Sequence, residues 1–204
     1  MKFIIYGATH GIGDGLGRQV GSHLIERGHQ VLGLCRSPEK ALQPSPFPLE
    51  AVDILSEAGS NRIKALINEQ SPDAIWWAAG VGYGDPFWIM PDSAIDDMIE
   101  SNVLNLARFC RTCAPSCLDG GPHLILTGSI AGVVDGVGAA LYAGLKGFLI
   151  PFVRGQQNEY SRQGHNPKLS VLALQASRIT GTKIIADAVE FIGRQSRAIE
   201  ILIH

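Results

Sequence analysis

The sequence predicts an α/β fold, a doubly wound parallel sheet of about seven strands with helices on both faces. Short apolar segments alternate with longer amphipathic segments along the whole chain, a pattern typical of parallel sheets covered by helices. The 204 residues are 46% hydrophobic, which is enough to enclose one full core. The sequence shows no internal repeat, low-complexity tract or linker. A single domain over residues 1–204 is therefore expected.

The predicted strands are short runs rich in apolar residues, bounded by glycine, proline or polar residues. They cover residues 1–6, 30–34, 49–52, 74–79, 123–127, 169–174 and 198–203. Helical periodicity predicts helices that end at about residue 27 or cover residues 57–68, 92–118, 139–162 and 184–195. Pro151 lies inside one of them and predicts a kink there.

Several polar or glycine residues directly follow predicted strands. They are Gly7, Arg36, Asp53, Gly80 and Ser129. Ligands of doubly wound sheets bind at the carboxyl ends of the strands. We therefore expect these residues to converge at one edge of the sheet.

Charge and hydropathy narrow the class of partner. The net charge of −2 argues against general binding to nucleic acid or to an anionic membrane. No segment approaches the roughly 20 apolar residues of a membrane-spanning helix, and the apolar run of residues 1–6 is too short for a signal peptide. These features predict a cytoplasmic protein whose partner is a small-molecule substrate.

Three of the four cysteines share one face of a predicted helix. Cys110, Cys113 and Cys117 are spaced i, i+3 and i+7. A metal or redox site is one interpretation of the Cys-x-x-Cys within this set. The helical spacing and apolar context favour buried or interface thiols instead, so no metal is expected.

The chemistry of the chain is best indicated by Tyr142 and Lys146. They lie four residues apart, so a helix would place the phenol and the ammonium on one face. A nearby cation favours the phenolate and is expected to lower the tyrosine pKa, which makes the phenol a usable acid near neutral pH. Ser129, thirteen residues before Tyr142, would hold a substrate oxygen against it.

The N-terminal segment predicts the other half of such a reaction. A short strand runs into Gly7-Ala8-Thr9-His10-Gly11-Ile12-Gly13 and then into an amphipathic helix. Gly7 would allow the tight turn, Gly11 the close approach of a pyrophosphate, and Gly13 the packing of helix on strand. The free N–H groups of the helix N-terminus suit phosphates. This segment therefore predicts a Rossmann-like dinucleotide-binding entry.

These motifs together resemble the short-chain dehydrogenase/reductase family over nearly the whole chain. Residues 6–13 resemble its Thr-Gly-x-x-x-Gly-x-Gly, with Tyr6 in place of threonine, and Trp77-Ala78-Ala79-Gly80 stands where the family has Asn-Asn-Ala-Gly. The resemblance implies a catalytic set, a hydride-transferring nicotinamide cofactor and a proton donated by Tyr142. The implied catalytic residues are Asn102, Ser129, Tyr142 and Lys146.

In that set Lys146 would lower the pKa of Tyr142 and bind the nicotinamide ribose. Asn102 would hold a water that links Lys146 to solvent. The resemblance implies a larger set of cofactor-binding residues. It comprises Gly7, Thr9, His10, Gly11, Ile12, Gly13, Arg36, Asp53, Ile54, Ala78, Ala79, Gly80, Tyr142, Lys146, Ile179 and Thr180.

The residue after the second strand bears on the choice between NADP(H) and NAD(H). A carboxylate there pairs with the ribose diol of NAD, whereas a cation accepts the 2′-phosphate of NADP. Arg36 stands there, with His10 as a second candidate cation, so NADP(H) is preferred. The alternative is an Arg36 that is only a surface charge.

The segment that usually covers the substrate in this family is nearly absent. Thr180-Gly181-Thr182-Lys183 leads almost directly into the helix predicted from residue 184. Either the active site is then open, or the loop of residues 80–91 and a partner subunit close it. Four residues are candidates for substrate contact, and Met90 is a further candidate for the pocket wall. The four are Tyr83, Phe87, Trp88 and Arg178.

Three functions remain open at this point. The first is an NADPH-dependent reductase of a small-molecule carbonyl, the second a conjugate (enone or dienone) reductase of a specialised-metabolite pathway, and the third a non-catalytic NADP-binding regulatory protein. The resemblance also implies a homodimer or homotetramer that pairs the two long helices. The apolar residues expected at that interface are Leu104, Leu106, Phe109, Leu145, Phe148 and Phe152.

Overall fold

The architecture is a parallel sheet of seven strands in the order β3-β2-β1-β4-β5-β6-β7. The structure, a computed structural model, describes residues 1–9, 15–42, 44–134, 138–174, 182–195 and the backbone of 200–203. The strands are β1 (Lys2–Tyr6), β2 (Gln30–Cys35), β3 (Leu49–Ala51), β4 (Ala74–Trp77), β5 (His123–Ser129), β6 (Leu169–Leu174) and β7 (Glu200–Ile203). The predicted fold class is confirmed, and each predicted strand matches one of these seven to within two residues at each end.

Helices cover both faces of the sheet, because strand side chains alternate between two apolar layers. The helices are α1 (Leu16–Glu26), α2 (Glu57–Gln70), α3 (Asp92–Ile99), α4 (Asn105–Cys113), α5 (Ala140–Gly147), α6 (Leu149–Arg162) and α7 (Thr182–Gly193). One layer joins Ile4 and Tyr6 of β1 to α2, α4 and α6. The other joins Phe3 and Ile5 to α1 and α7.

The helix expected over residues 92–118 is not continuous. A π-helical turn, Glu100–Leu104, separates α3 from α4, and a 3₁₀ turn, Ala114–Cys117, follows α4. The side chain of Asn102 donates through Nδ2 to the carbonyl of Met98, the acceptor that the backbone N–H of residue 102 would use in an α-helix. A π-turn within a helix is frequent at functional sites, and this one lies at the candidate active site.

The helix expected over residues 139–162 is divided at Phe148 into α5 and α6. Pro151 stands in the first turn of α6 and has no N–H to donate to the carbonyl of residue 147, which accounts for the break.

Two of the six residues expected at an interface between subunits lie in the protein's own core. Leu106 is 1% exposed and Phe109 is not exposed at all, so neither can cover a partner. That part of the prediction is wrong, because an amphipathic helix buries its apolar face against its own sheet before any other subunit is available. Leu104 is exposed, and Phe148 and Phe152 stack on each other while partly buried.

Cys110, Cys113 and Cys117 are free thiols in the core, as is Cys35. Burial raises the pKa of Cys110 to about 12 and also raises that of Cys113 and Cys117, so all three are protonated and unreactive at neutral pH. Among the residues that the structure describes, no cluster of His, Cys, Asp or Glu is arranged to hold a metal ion. None of the described helices is long and apolar enough to cross a membrane.

Candidate active site

The four candidate catalytic residues come from three elements that meet at the carboxyl edge of the sheet. Ser129 ends β5, Tyr142 and Lys146 lie on α5, and Asn102 lies in the π-turn between α3 and α4. The turn after β5 presses against α5, because a Cβ on Gly132 would lie only 2.7 Å from the backbone nitrogen of Gly147. Glycine at position 132 therefore fixes the distance between the Ser129 strand end and the Tyr142 helix.

The Ser129 hydroxyl lies near enough to the Tyr142 phenol to act on its pKa. The Ser129 hydroxyl also accepts a hydrogen bond from the backbone N–H of Ala131 at 3.1 Å, which fixes its position at the strand end. Burial raises the pKa of Tyr142, and the nearby Ser129 hydroxyl opposes this rise only in part. The lower pKa expected from Lys146 is therefore not found: desolvation of the phenol outweighs its favourable contacts.

Lys146 is a buried ammonium group. It is 6% exposed, and its Nζ lies 5.7 Å from the centroid of the Tyr142 ring. The Nζ donates to the carbonyl of Thr127 at 3.2 Å. Burial lowers the pKa of Lys146 to about 8, so its charge can change within the range in which enzymes operate.

The amide nitrogen of Asn102 is hydrogen-bonded, whereas its amide oxygen has no partner among the described residues. Its Nδ2 donates to the carbonyls of Val81 at 2.7 Å and Met98 at 3.0 Å, while its Oδ1 is buried and accepts no hydrogen bond from the described residues. A Cβ on Gly80 would lie 2.9 Å from this Oδ1 and 3.3 Å from the Nζ of Lys146. Glycine at position 80 thus leaves space beside an unpaired acceptor and an ammonium donor, the environment that holds a bound water.

The loop after β4 lies against the face of Tyr142. A Cβ on Gly82 would lie 2.9 Å from Cδ2 of that ring. The hydroxyl of the next residue, Tyr83, donates to Asp97 of α3 at 3.2 Å and ties the loop to the helix. The backbone at Gly82, rather than an aromatic side chain, therefore forms the wall nearest the candidate proton donor.

The aromatic residues expected to line the pocket are largely at the surface. Tyr83 is 39% exposed, Phe87 53% and Trp88 84%, whereas Met90 is buried. Phe87 and Trp88 belong to a short 3₁₀ turn, Phe87–Ile89, whose third residue is also exposed. In this arrangement Phe87 and Trp88 do not enclose a pocket.

At the opposite part of the edge, the turn after β1 packs closely against the loop after β4. Gly7 has φ +90°, and a Cβ there would lie 2.6 Å from the backbone nitrogen of Ala79. The backbone N–H of Ala78 donates to the carbonyl of Tyr6 at 2.8 Å, which joins β1 to the start of the next loop. The side chain of Thr9 is hydrogen-bonded to Cys35 at the end of β2. These contacts bring Gly7, Thr9, Ala78 and Ala79 together at this edge.

Close packing of α1 on β1 is provided by Gly17. A Cβ on Gly17 would lie 2.5 Å from the carbonyl oxygen of Gly7. The sequence pattern predicted this packing role for Gly13, which lies outside the described residues. Six other residues predicted for the site also lie outside them: His10, Gly11, Ile12, Arg178, Ile179 and Thr180.

Arg36 directly follows β2, the position from which a cation would contact a ribose phosphate. Its guanidinium is paired with a carboxylate. Its Nη1 donates to Oε1 of Glu100 at 3.3 Å, and both side chains are well exposed. Asp53 and Ile54 follow β3 at the same edge. Asp53 accepts from the N–H of Leu55 through Oδ1 at 2.9 Å, while the side chain of Ile54 is buried in the core.

Sequence reasoning missed Glu100, Gly17, Gly82 and Thr127 as parts of this site. Thr127 accepts from Nε1 of Trp76 at 2.9 Å and donates to the carbonyl of Trp77 at 2.6 Å, which holds β4 to β5 behind Lys146. The position of Thr127 two residues before Ser129 on β5 was the available signal, since alternate residues of a strand share a face. No local signal identifies Glu100, because it is far from Arg36 in the sequence.

Comparison with known proteins agrees with this geometry. A family model described as short chain dehydrogenase matches residues 3–192. The chain is 27% identical over 176 residues to the very-long-chain 3-oxoacyl-CoA reductase of Anas platyrhynchos, a match that covers 79% of this chain and 55% of that protein. It is 25% identical over 213 residues to the 3-oxoacyl-[acyl-carrier-protein] reductase FabG of Salmonella typhimurium, covering 89% and 86%.

Among solved structures, the closed form of serine dehydrogenase complexed with NADP+ superposes with a TM-score of 0.78 and 17% identity. That match covers 100% of this chain and 94% of the other, and at this identity it shows the fold alone. The chain spans only 55% of the length of the first two curated relatives.

Proposed function

The chain belongs to the short chain dehydrogenase family, and from this premise we propose that it is an NADPH-dependent reductase that transfers hydride to a small-molecule carbonyl, with Tyr142 as proton donor. The observation that carries the proposal is the buried ammonium of Lys146, 5.7 Å from the centroid of the Tyr142 ring, with the Ser129 hydroxyl near the phenol at the end of β5. A hydroxyl pair backed by a buried cation suits an oxygen that gains negative charge as hydride arrives.

The cofactor site is proposed from the residues that fit a dinucleotide. The backbone of the Gly7 turn would accommodate the pyrophosphate, Arg36 would bind the 2′-phosphate, and Lys146 would bind the nicotinamide ribose. When bound, the reduced nicotinamide supplies the hydride. The NADP+ complex of serine dehydrogenase supports NADP as the first cofactor to test.

In the proposed mechanism the protein's residues manage charge and proton. Ser129 hydrogen-bonds the carbonyl oxygen and orients it toward the phenol of Tyr142. Tyr142 gives its proton to the developing alkoxide, and Lys146 stabilises the phenolate that remains. A water in the space beside Gly80, held by Oδ1 of Asn102 and Nζ of Lys146, would carry the replacement proton.

The substrate class is proposed from two sources. Both named reductase relatives act on 3-oxoacyl compounds, according to their names. The loop that touches Tyr142 presents exposed apolar side chains at Val81 and Tyr83, and Val133 and Val134 after β5 are also exposed. An apolar mouth suits an acyl chain attached to the reacting carbonyl, so 3-oxoacyl thioesters are the first substrates to assay.

The test is NADPH oxidation with a panel of 3-oxoacyl thioesters, simple ketones and enones. We expect turnover with at least one carbonyl and a loss of about 10²–10⁴-fold in kcat in Tyr142→Phe, the usual worth of a general acid. Tyr160→Phe, on α6 and remote from the site, is the matched control and should keep full activity.

Other outcomes distinguish the remaining functions. Reduction confined to the alkene of an enone would replace carbonyl reduction by conjugate reduction. NADPH binding without turnover of any substrate, together with no measurable effect of Tyr142→Phe, would favour a regulatory role. Absence of NADPH binding would contradict the proposal itself.

We also propose that the chain forms a homodimer or homotetramer through the outer faces of α4, α5 and α6. Leu104, Leu145, Phe148 and Phe152 remain available for this contact, since they are exposed or partly buried. A single monomeric species by light scattering at micromolar concentration would contradict this assembly.

A further inference from the structure

Two residues that differ from the family motifs contact each other in the structure. Tyr6 stands where the glycine motif usually has threonine, and Trp77 stands where the next motif has asparagine. The two residues are neighbours in the register of β1 and β4. Their rings stack at 4.8 Å with an interplanar angle of 7°, and Phe109 of α4 packs against both. The stack fixes the direction of the Tyr6 ring.

The hydroxyl of Tyr6 is directed at the turn that follows β3. It donates to the carbonyl of Val52 at 3.2 Å and accepts from the N–H of Ile54 at 3.4 Å. Asp53 lies between these two partners. Tyr6 is 5% exposed, so its hydroxyl is enclosed in the protein and its two hydrogen bonds are shielded from water. A threonine hydroxyl lies one bond beyond Cβ and would not extend across β2 to this turn.

The rest of the turn is held by its own residues and by α4. Oδ1 of Asp53 accepts from the N–H of Leu55, and the hydroxyl of Ser56 donates to the carbonyl of Asp53 at 2.8 Å. Nη1 of Arg108 donates to the carbonyl of Leu55 at 2.9 Å. Tyr6 is therefore the side chain that fastens the beginning of the turn to the sheet.

We infer that Tyr6 is a positioning residue for the adenine half of the cofactor. It acts through the backbone of Val52 and Ile54. It thereby holds Asp53 and Ile54, the pair after β3 that resembles the family's adenine-contacting residues. The inference rests on the proposed function, because it presupposes a dinucleotide at this edge. Tyr6 itself touches no reacting atom, and its effect belongs to nucleotide binding rather than to the chemical step.

The test compares ligands that contain or lack the adenine half. Dissociation constants are measured for NADPH, for 2′,5′-ADP and for reduced nicotinamide mononucleotide, in the wild type and in Tyr6→Phe. The variant keeps the stacked ring and removes only the hydroxyl. We expect NADPH and 2′,5′-ADP to bind about three- to tenfold more weakly, the usual cost of a lost buried hydrogen bond. Binding of the mononucleotide should not change.

A second measurement follows the turn directly. Hydrogen exchange at the amide of Ile54 should accelerate in Tyr6→Phe, and exchange at the amide of Gly59, which donates to Ser56 at the start of α2, should not. Tyr160→Phe is the control for loss of a phenol hydroxyl far from the nucleotide edge.

The outcomes separate this inference from the proposed function. Equal weakening of all three ligands in Tyr6→Phe, or no weakening of any, would overturn the positioning role. The proposed function would stand, because the wild type still binds NADPH. A wild type that binds none of the ligands would overturn the proposed function and this inference with it. If Tyr6→Phe does not fold, Arg108→Met loosens the same turn from α4, and unchanged binding of 2′,5′-ADP by that variant would overturn the inference.

Discussion

The Nζ of Lys146 lies 5.7 Å from the centroid of the Tyr142 ring and donates to the carbonyl of Thr127. The pair is therefore a buried cation beside a buried phenol, on a helix positioned by the strand that carries Ser129. Burial shifts both pKa values, lowering that of Lys146 to about 8 and raising that of Tyr142. The raised pKa of Tyr142 leaves the phenol protonated near neutral pH, the state required of a proton donor.

The pH dependence of reduction should report Lys146 rather than Tyr142. Lys146 is charged below a pKa of about 8, and the pKa of Tyr142 is raised above its ordinary 10. We expect kcat/KM for carbonyl reduction to be constant near pH 7 and to fall as the pH rises through about 8, because the neutral lysine no longer stabilises the phenolate. Steady-state assays from pH 6 to 10 measure this. An alkaline limb that begins only above pH 10 would contradict it.

The buried charge of Lys146 should lower the free energy of unfolding of the protein. Its pKa is lower in the folded protein, about 8, than the ordinary 10.5. Below about pH 8 the buried charge lowers the free energy of unfolding by its full amount. Between about pH 8 and 10.5 this destabilisation disappears, because there the unfolded chain binds more protons than the folded protein. Lys146→Met should therefore raise the free energy of unfolding at pH 7 by about 1–3 kcal/mol while abolishing activity.

Urea denaturation at pH 7 and pH 10 tests this expectation, with the exposed Lys64→Met as control. The advantage of Lys146→Met should shrink at pH 10. Lower stability than the wild type at pH 7 would show that the bond from Lys146 to Thr127 outweighs the burial of its charge.

Gly82 should control the position of the Tyr142 ring. A Cβ there would lie 2.9 Å from Cδ2 of that ring, whereas a Cβ on Gly84, two residues later, would meet no atom within 4 Å. We expect Gly82→Ala to lower kcat by about tenfold or more, because a small displacement of the proton donor is costly. Gly84→Ala should remain within about twofold of the wild type. Equal kcat values in the two variants would contradict this role for the loop.

Arg36 and Glu100 should set the preference between NADP(H) and NAD(H). Glu100 holds the guanidinium at 3.3 Å and competes with a 2′-phosphate for it. Arg36→Ala should weaken NADPH binding about tenfold and leave NADH nearly unchanged. Glu100→Gln should strengthen NADPH binding about two- to fivefold, because it frees Arg36 and removes a repelling charge. Glu69→Gln, on α2, is the control. Parallel changes for NADPH and NADH would count against both roles.

Acid should weaken the contact between α1 and α7. The carboxylate of Glu190 on α7 pairs with Arg194, His29 and Arg27. These three partners lower the pKa of Glu190 from 4.5 to about 2. A depressed carboxyl pKa contributes stability above about pH 4.5, and that stability is lost as the pH falls through about 2. Glu190→Gln should lower the Tm at pH 6 by at most about 2–4 °C. The difference should vanish near pH 2, and a constant difference would contradict the linkage.

The fold could be predicted from the sequence because each strand and helix has its own pattern of apolar residues and its own boundary residues. The π-turn at Asn102 could not be predicted, because the apolar pattern continues through it and the spacing does not reveal the side-chain bond from Asn102 to Met98. The burial of Leu106 and Phe109 was also missed, since periodicity shows that a face is apolar but not what covers it.

The identity of the candidate site residues could be read from spacing, but their electrostatics could not. The pKa of Tyr142 depends on how much water the Gly82 loop and α5 exclude, which is a property of the packed protein. The partner of Arg36 is a residue far away in the chain. The role inferred for Tyr6 likewise depends on a turn that only the folded sheet brings within reach of its hydroxyl.

The most direct test of the central claim follows the hydride itself. NADPH carrying deuterium at the transferable position of C4 is incubated with the wild type and a 3-oxoacyl thioester, and the product is analysed by mass spectrometry and NMR. We predict one deuterium on the carbon that was the ketone, and about 10²–10⁴-fold less labelled product per unit time in Tyr142→Phe. Unlabelled product, or label formed equally fast by Tyr142→Phe, would contradict hydride transfer coupled to protonation by Tyr142.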